Sequence, residues 1–123
     1  MGTSKSSEVD SGYVGGVSVF SGRPDPLWPV GAGDARSLMA LWDALAPYGG
    51  DAPHAPPLGY RGSFLRGGGR EWLAYRGAVT LREGGASEMR QDPGRRFERQ
   101  LISAAPQGSV PSAFLDDELR AQG

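Results

Sequence analysis

The chain has 123 residues, of which 38% are hydrophobic and 22% charged, a size that sets one domain with a modest core. Glycine (20 residues) and proline (10 residues) make up about a quarter of it, so turns and loops take a large share. There is no cysteine, which excludes disulfides, thiolate nucleophiles and cysteine metal sites, and the formal net charge is −1.

That charge is unevenly spread. Residues 1–57 carry a net −3, residues 58–100 carry nine arginines against five acids (+4), and residues 101–123 carry a net −2. Only the middle section can attract an anion by its field alone. Its arginines are not by themselves a sign of phosphate recognition. Twelve Arg against one Lys (Lys5), with abundant Ala and Gly, reads as a high-GC bacterial coding sequence.

At the N-terminus, MGTSKSSEVD lacks the charged-then-apolar layout of a secretory signal. It matches M-G-x-x-x-[ST] through Gly2 and Ser6, but a bacterial host is expected to lack the myristoylating enzyme. Residues 1–12 therefore read as a disordered polar leader and residues 13–120 as a single domain. No run approaches the roughly 20 apolar residues of a membrane span.

The first strand is expected over residues 13–20, where Val17 and Val19 alternate with Ser18. It runs into SGRPDPLWP (residues 21–29), in which Arg23, Asp25 and Trp28 each precede a proline and are held in extended conformations. The prolines fix their own φ, so the segment is a stiff rail beside the first strand. A helix follows, with Asp34 as N-cap and Leu38, Leu41, Trp42 and Leu45 on one face, and Pro47 stops it. Residues 49–59 form a proline-rich loop. YRGSFLR and EWLAYRGAVTLRE then make a hairpin across a glycine turn. GGASEMRQDPG is a breaker, after which Asp92 caps a helix with Pro93 at N1 and Phe97, Leu101 and Ala105 on one face. A short last helix buries Phe114, Leu115 and Leu119.

The order implies an α+β fold: a small antiparallel sheet of about three strands, including the hairpin, with two or three helices on one face. At least one irregular segment is expected to pair at an edge. Within the hairpin, a four-residue loop (residues 67–70) sets Phe64 opposite Leu73 and Leu65 opposite Trp72. It gathers Tyr60, Phe64, Leu73, Tyr75, Val79 and Leu81 on the core side. Arg61 then falls opposite Arg76 on the outer face, and like charges in that position either cost stability or hold an anion.

The candidate ligand site is therefore the rail (Arg23, Asp25, Trp28) meeting the outer hairpin face (Arg61, Trp72, Arg76). The bland alternative makes Trp28 a plug between the rail and the first helix, and an Arg–Asp contact a structural clasp. FSGRPDPLW (residues 20–28), followed by LGYRG (residues 58–62), resembles an uncharacterised bacterial protein group with the pattern F-S-G-R-P-[ND]-P-x-W and L-G-Y-R-G. The resemblance implies that the rail and the second strand belong to one feature. It implies no chemistry.

No catalytic constellation stands out. His54 is the only histidine and has no ligand at metal spacing, RGGGRE lacks the Lys-Ser/Thr of a phosphate loop, and there is no G-x-S-x-G. Tyr60, Phe64 and Tyr75 are needed for the core, which leaves too few aromatics to stack nucleic-acid bases. The reading is a cytoplasmic binding or accessory module and not an enzyme, without cofactor or metal, recognising an acidic protein segment or a small anionic ligand. Its alternatives are a small enzyme with Asp25 as general base and a weak nucleic-acid binder.

Overall fold

The computed structural model describes residues 12–18, 25–51, 53–54 and 60–106. Arg23, most of the leader and the last expected helix lie outside them. The described chain is an α+β fold with a six-stranded antiparallel sheet and two helices. The strands are β1 (Tyr13–Val17), β2 (Leu27–Val30), β3 (Ser63–Gly67), β4 (Arg70–Tyr75), β5 (Ala78–Glu83) and β6 (Ala86–Gln91). Helix α1 (Ala32–Ala44) follows β2, and helix α2 (Arg96–Ser103) follows β6 through a tight turn at Pro93–Arg95. The spatial order is β2-β1-β3-β4-β5-β6.

The sheet has six strands where about three were expected, for three local reasons. The end of the proline rail is itself a strand, β2, pairing along β1 at the sheet edge. Pro29 is tolerated there because an edge strand need not donate on its open side. Residues 70–83 are two strands, broken by a two-residue turn at Arg76–Gly77 in which both residues have positive φ (42° and 91°). The presumed breaker contains β6, whose residues are exposed or half-buried and so carry no apolar alternation.

The expected hairpin register is present: Phe64 faces Leu73, Leu65 faces Trp72 and Ser63 faces Ala74. The expected core side is not. Leu65, Trp72 and Ala74 are fully buried on the face where β1's Gly15 approaches Leu101 of α2. Val79 and Leu81 lie opposite Ala74 and Trp72, on that same face. The turn at Arg76–Gly77 is the cause, since pairing Tyr75 with Ala78 reverses the face assignment that a continuous strand would have carried through to Val79. Phe64 and Tyr75 are buried on the other face, Phe64 beneath the Arg66 guanidinium (4.1 Å to the ring centroid) and Tyr75 against Tyr60.

Helix α1 carries the chain from one sheet edge to the other. Its 13 residues span about 20 Å, close to the roughly 24 Å across five inter-strand spacings. It starts at Gly31 rather than Asp34, which lies inside the first turn. It buries Ala35, Leu38 and Trp42, which share a face by helical spacing. Beyond it, Pro47 bridges Arg90, and the Tyr48 and Gln91 amides donate to Met89 and Ala46 carbonyls, covering part of the β6 edge. The Arg90 guanidinium stacks over Trp42 (4.2 Å) and donates to its carbonyl (2.8 Å). The core joins both helices to the sheet through Trp28, Trp42, Trp72, Leu38, Leu65, Phe97 and Leu101.

Candidate functional site

Three charged residues around the start of α2, Asp92, Arg95 and Glu98, are buried, which is costly unless each is paired. The local sequence DPGRRFE explains how they are brought in. Gly94 and Arg95 both take left-handed backbone conformations (φ 69° and 57°), so the chain kinks between the Pro93–Arg95 turn and α2. The kink leaves Arg95 1% exposed, and its Nε and Nη2 each donate to a different Glu98 carboxylate oxygen at 2.8 Å. This bidentate geometry makes the most of a guanidinium–carboxylate pair. Glu98 also accepts from the Tyr60 hydroxyl and from the Arg76 backbone amide (3.0 Å). One carboxylate thus ties α2 to the segment before β3 and to the β4–β5 turn.

Asp92 is fully buried beside this network, and its carboxylate accepts the amides of Phe97 (2.9 and 3.1 Å) and Glu98 (3.2 Å). The expected cap is therefore real but reaches across the kink. Burial raises the Asp92 pKa above its ordinary 3.8, against the lowering effect of those amide bonds. Burial, and then the neighbouring Glu98 charge, push the Tyr60 phenol far above its ordinary 10.0, so it stays a donor. Asp92 and Glu98 are engaged by backbone amides, Arg95 and Tyr60.

Against this buried floor opens a cleft of about 210 Å³ lined by Tyr48, Arg76, Gly77, Gln91 and residues 92–95. Arg76 is exposed on one side, and Arg96 and Arg99 are exposed next to Gly94 on the other. The Arg99 Nε donates to the Gly94 carbonyl (3.1 Å), which fixes its base at the lip. The opposite end of the sheet has a different balance. There Arg66 and Arg82 meet the half-buried Glu71 at 2.8 and 3.9 Å. Nearer the cleft, Arg90, the neighbour of Gln91, meets Glu88 at 2.8 Å.

Asp25, Arg61 and Arg76 stand at the same end of the sheet as the cleft. Asp25 precedes Pro26, whose carbonyl accepts from the Val17 amide just before β2, and the Arg61 amide donates to the Ser18 carbonyl, just after β1. Arg76 is in the adjacent β4–β5 turn. Arg61 does not pair across from Arg76, because Gly62 leaves the strand conformation with φ 124° and ends β3 pairing at Ser63. Trp28 (1% exposed) and Trp72 (0%) lie inside the core rather than on a ligand-facing surface. Trp28 packs over Gly15, near Leu101 of α2, within the core that both helices share. Sequence reasoning missed Tyr48, Gln91, Arg95, Arg96 and Arg99. The signal in the sequence is the adjacent pair Arg95–Arg96 behind Pro93-Gly94.

Among the described residues no group of three or more His, Cys, Asp or Glu could hold a metal ion, and no helix is long and apolar enough to cross a membrane. Comparison with protein families, curated proteins and solved structures found no significant match.

Proposed function

We propose that the chain is a binding module whose cleft takes a ligand bearing carboxylate or phosphate groups, presented on an acidic partner segment or as a small anion. One observation carries this reading. The two carboxylates at the cleft, Asp92 and Glu98, are buried, while the arginines around it, Arg76, Arg96 and Arg99, are exposed. Among the described residues, the charged side chains exposed beside the cleft are therefore mainly cationic, although the chain is acidic overall. Guanidinium forks suit planar oxyanions, and the buried Arg95–Glu98–Tyr60 network holds the cleft walls at fixed positions. The cleft is below the usual size of a drug-like ligand pocket, which favours a single anionic group or one acidic side chain over a large cofactor. Binding rather than catalysis is favoured because both carboxylates are committed to internal bonds. A chain without cysteine fits a cytoplasmic setting.

Amide NMR spectra recorded during titration with inorganic phosphate and with a hexaglutamate peptide test the reading. The expected result is movement of the Gly77, Gln91 and Gly94 signals, weakened at least several-fold in Arg76→Ala/Arg99→Ala. The response should also fade as salt rises from about 0.05 M to about 0.5 M. Signals that stay still, or move equally in the double variant, would overturn it.

A further inference from the structure

Among the described residues, two that are not glycine have a positive φ, Arg76 (42°) and Arg95 (57°). An L-residue takes that conformation only at a cost, so its surroundings must enforce it. Each sits beside a glycine that is also left-handed, Gly77 (91°) and Gly94 (69°), and the two pairs form walls of the same cleft. One carboxylate reaches both. Glu98 Oε1 accepts the Arg76 amide at 3.0 Å and Arg95 Nε at 2.8 Å, and its Oε2 accepts Arg95 Nη2 at 2.8 Å and the Tyr60 hydroxyl. We infer that Glu98, fully buried beneath the cleft, is its positioning residue: it holds both walls in their left-handed conformations and so sets the affinity for an anion it does not touch. The inference rests on the reading of the cleft as an anion site.

Geometry and charge support it. The Asp92 amide donates to the Gly77 carbonyl at 2.8 Å, which joins the walls at one point. A turn held by one bond can pivot about it, and the bond from the Arg76 amide to Glu98 is the second point that stops it. Tyr60, from the segment before β3, holds the same carboxylate, so the setting does not depend on α2 alone. Charge gives the inference a sign. A buried carboxylate repels an anion in the cleft above it, so if Glu98 acted by its field alone, neutralising it would tighten binding. Acting by position, it has the opposite effect. A glutamine keeps one acceptor oxygen where two now serve Arg76, Arg95 and Tyr60, and the walls are released.

The test compares the full-length wild type with Glu98→Gln and with Tyr60→Phe, which removes one donor to Glu98 and keeps the ring. Two quantities are read by NMR: phosphate affinity from the Gly77 and Gly94 amide signals, and the three-bond amide-to-α-proton couplings of Arg76 and Arg95, which report φ. Glu98→Gln should weaken phosphate about tenfold and shift both couplings away from their left-handed values. Tyr60→Phe should act in the same direction by about threefold, which decides the matter if Glu98→Gln does not fold. Equal or tighter phosphate binding in the variants, or weaker binding with both couplings unchanged, would overturn the inference and leave the anion reading standing. If the couplings shift but phosphate leaves the wild-type signals still, Glu98 holds the walls and the anion reading fails.

Discussion

Asp92 shows how one side chain carries opposing demands. Its carboxylate caps α2 through three amide contacts, yet burial raises its pKa. Replacing it with alanine should cost about 0.5–2 kcal/mol at neutral pH, the usual range for a lost cap. The pH dependence has a definite sign. A carboxyl whose folded pKa is raised binds its proton more firmly in the native state. Its favourable linkage is full below the unfolded value near 3.8 and is lost as pH rises through the folded value. Urea unfolding across that range should show wild-type stability falling with rising pH relative to Asp92→Asn, then levelling off. A wild-type advantage that grows with pH would contradict this account.

At the scale of elements, α1 is a diagonal brace. It leaves the β2 edge, crosses the sheet and hands the chain to Pro47 and Tyr48, which pair with β6. Trp42 is the joint, buried in the core and stacked under Arg90 of β6. Trp42→Ala should destabilise the fold by about 3–5 kcal/mol, as expected for deleting a large buried aromatic. It should also speed hydrogen exchange at the Tyr48 and Gln91 amides more than in β3, because the cover on the β6 edge depends on that joint. Uniform acceleration across the sheet would mean that α1 contributes only bulk burial. The α1 apolar spacing was readable because helical period is a local property. β6 was not readable, because a strand with little buried surface shows no alternation, and its identity comes from the neighbour it pairs with.

For the whole molecule, one core serves both helices and five of the six strands. Trp28, Trp42 and Trp72 are all buried in it, on the edge strand β2, on α1 and in mid-sheet respectively. Tryptophan fluorescence and far-ultraviolet circular dichroism should therefore report the same urea midpoint, in one transition. Separate midpoints would show that the β2 edge or α1 unfolds as its own unit. The same architecture separates charge. At the β3–β4 tip arginine and glutamate meet at the surface, whereas beside the cleft Asp92 and Glu98 are buried and Arg76, Arg96 and Arg99 are exposed.

Local chemistry decided several features before any tertiary contact. Helical spacing placed α1, Asp92-Pro93 marked the start of the α2 region, and the glycine turn set the register of β3 against β4. Which sheet face became the core was decided only by tertiary structure. Alternation shows that a strand has two faces, but packing against α1 and α2 selects one, and the Arg76–Gly77 turn reverses the assignment for the strand that follows. The same selection drew Trp28 and Trp72 inside. It also left the candidate site to arginines whose acidic neighbours are buried, a consequence of long-range burial that no short stretch of sequence encodes.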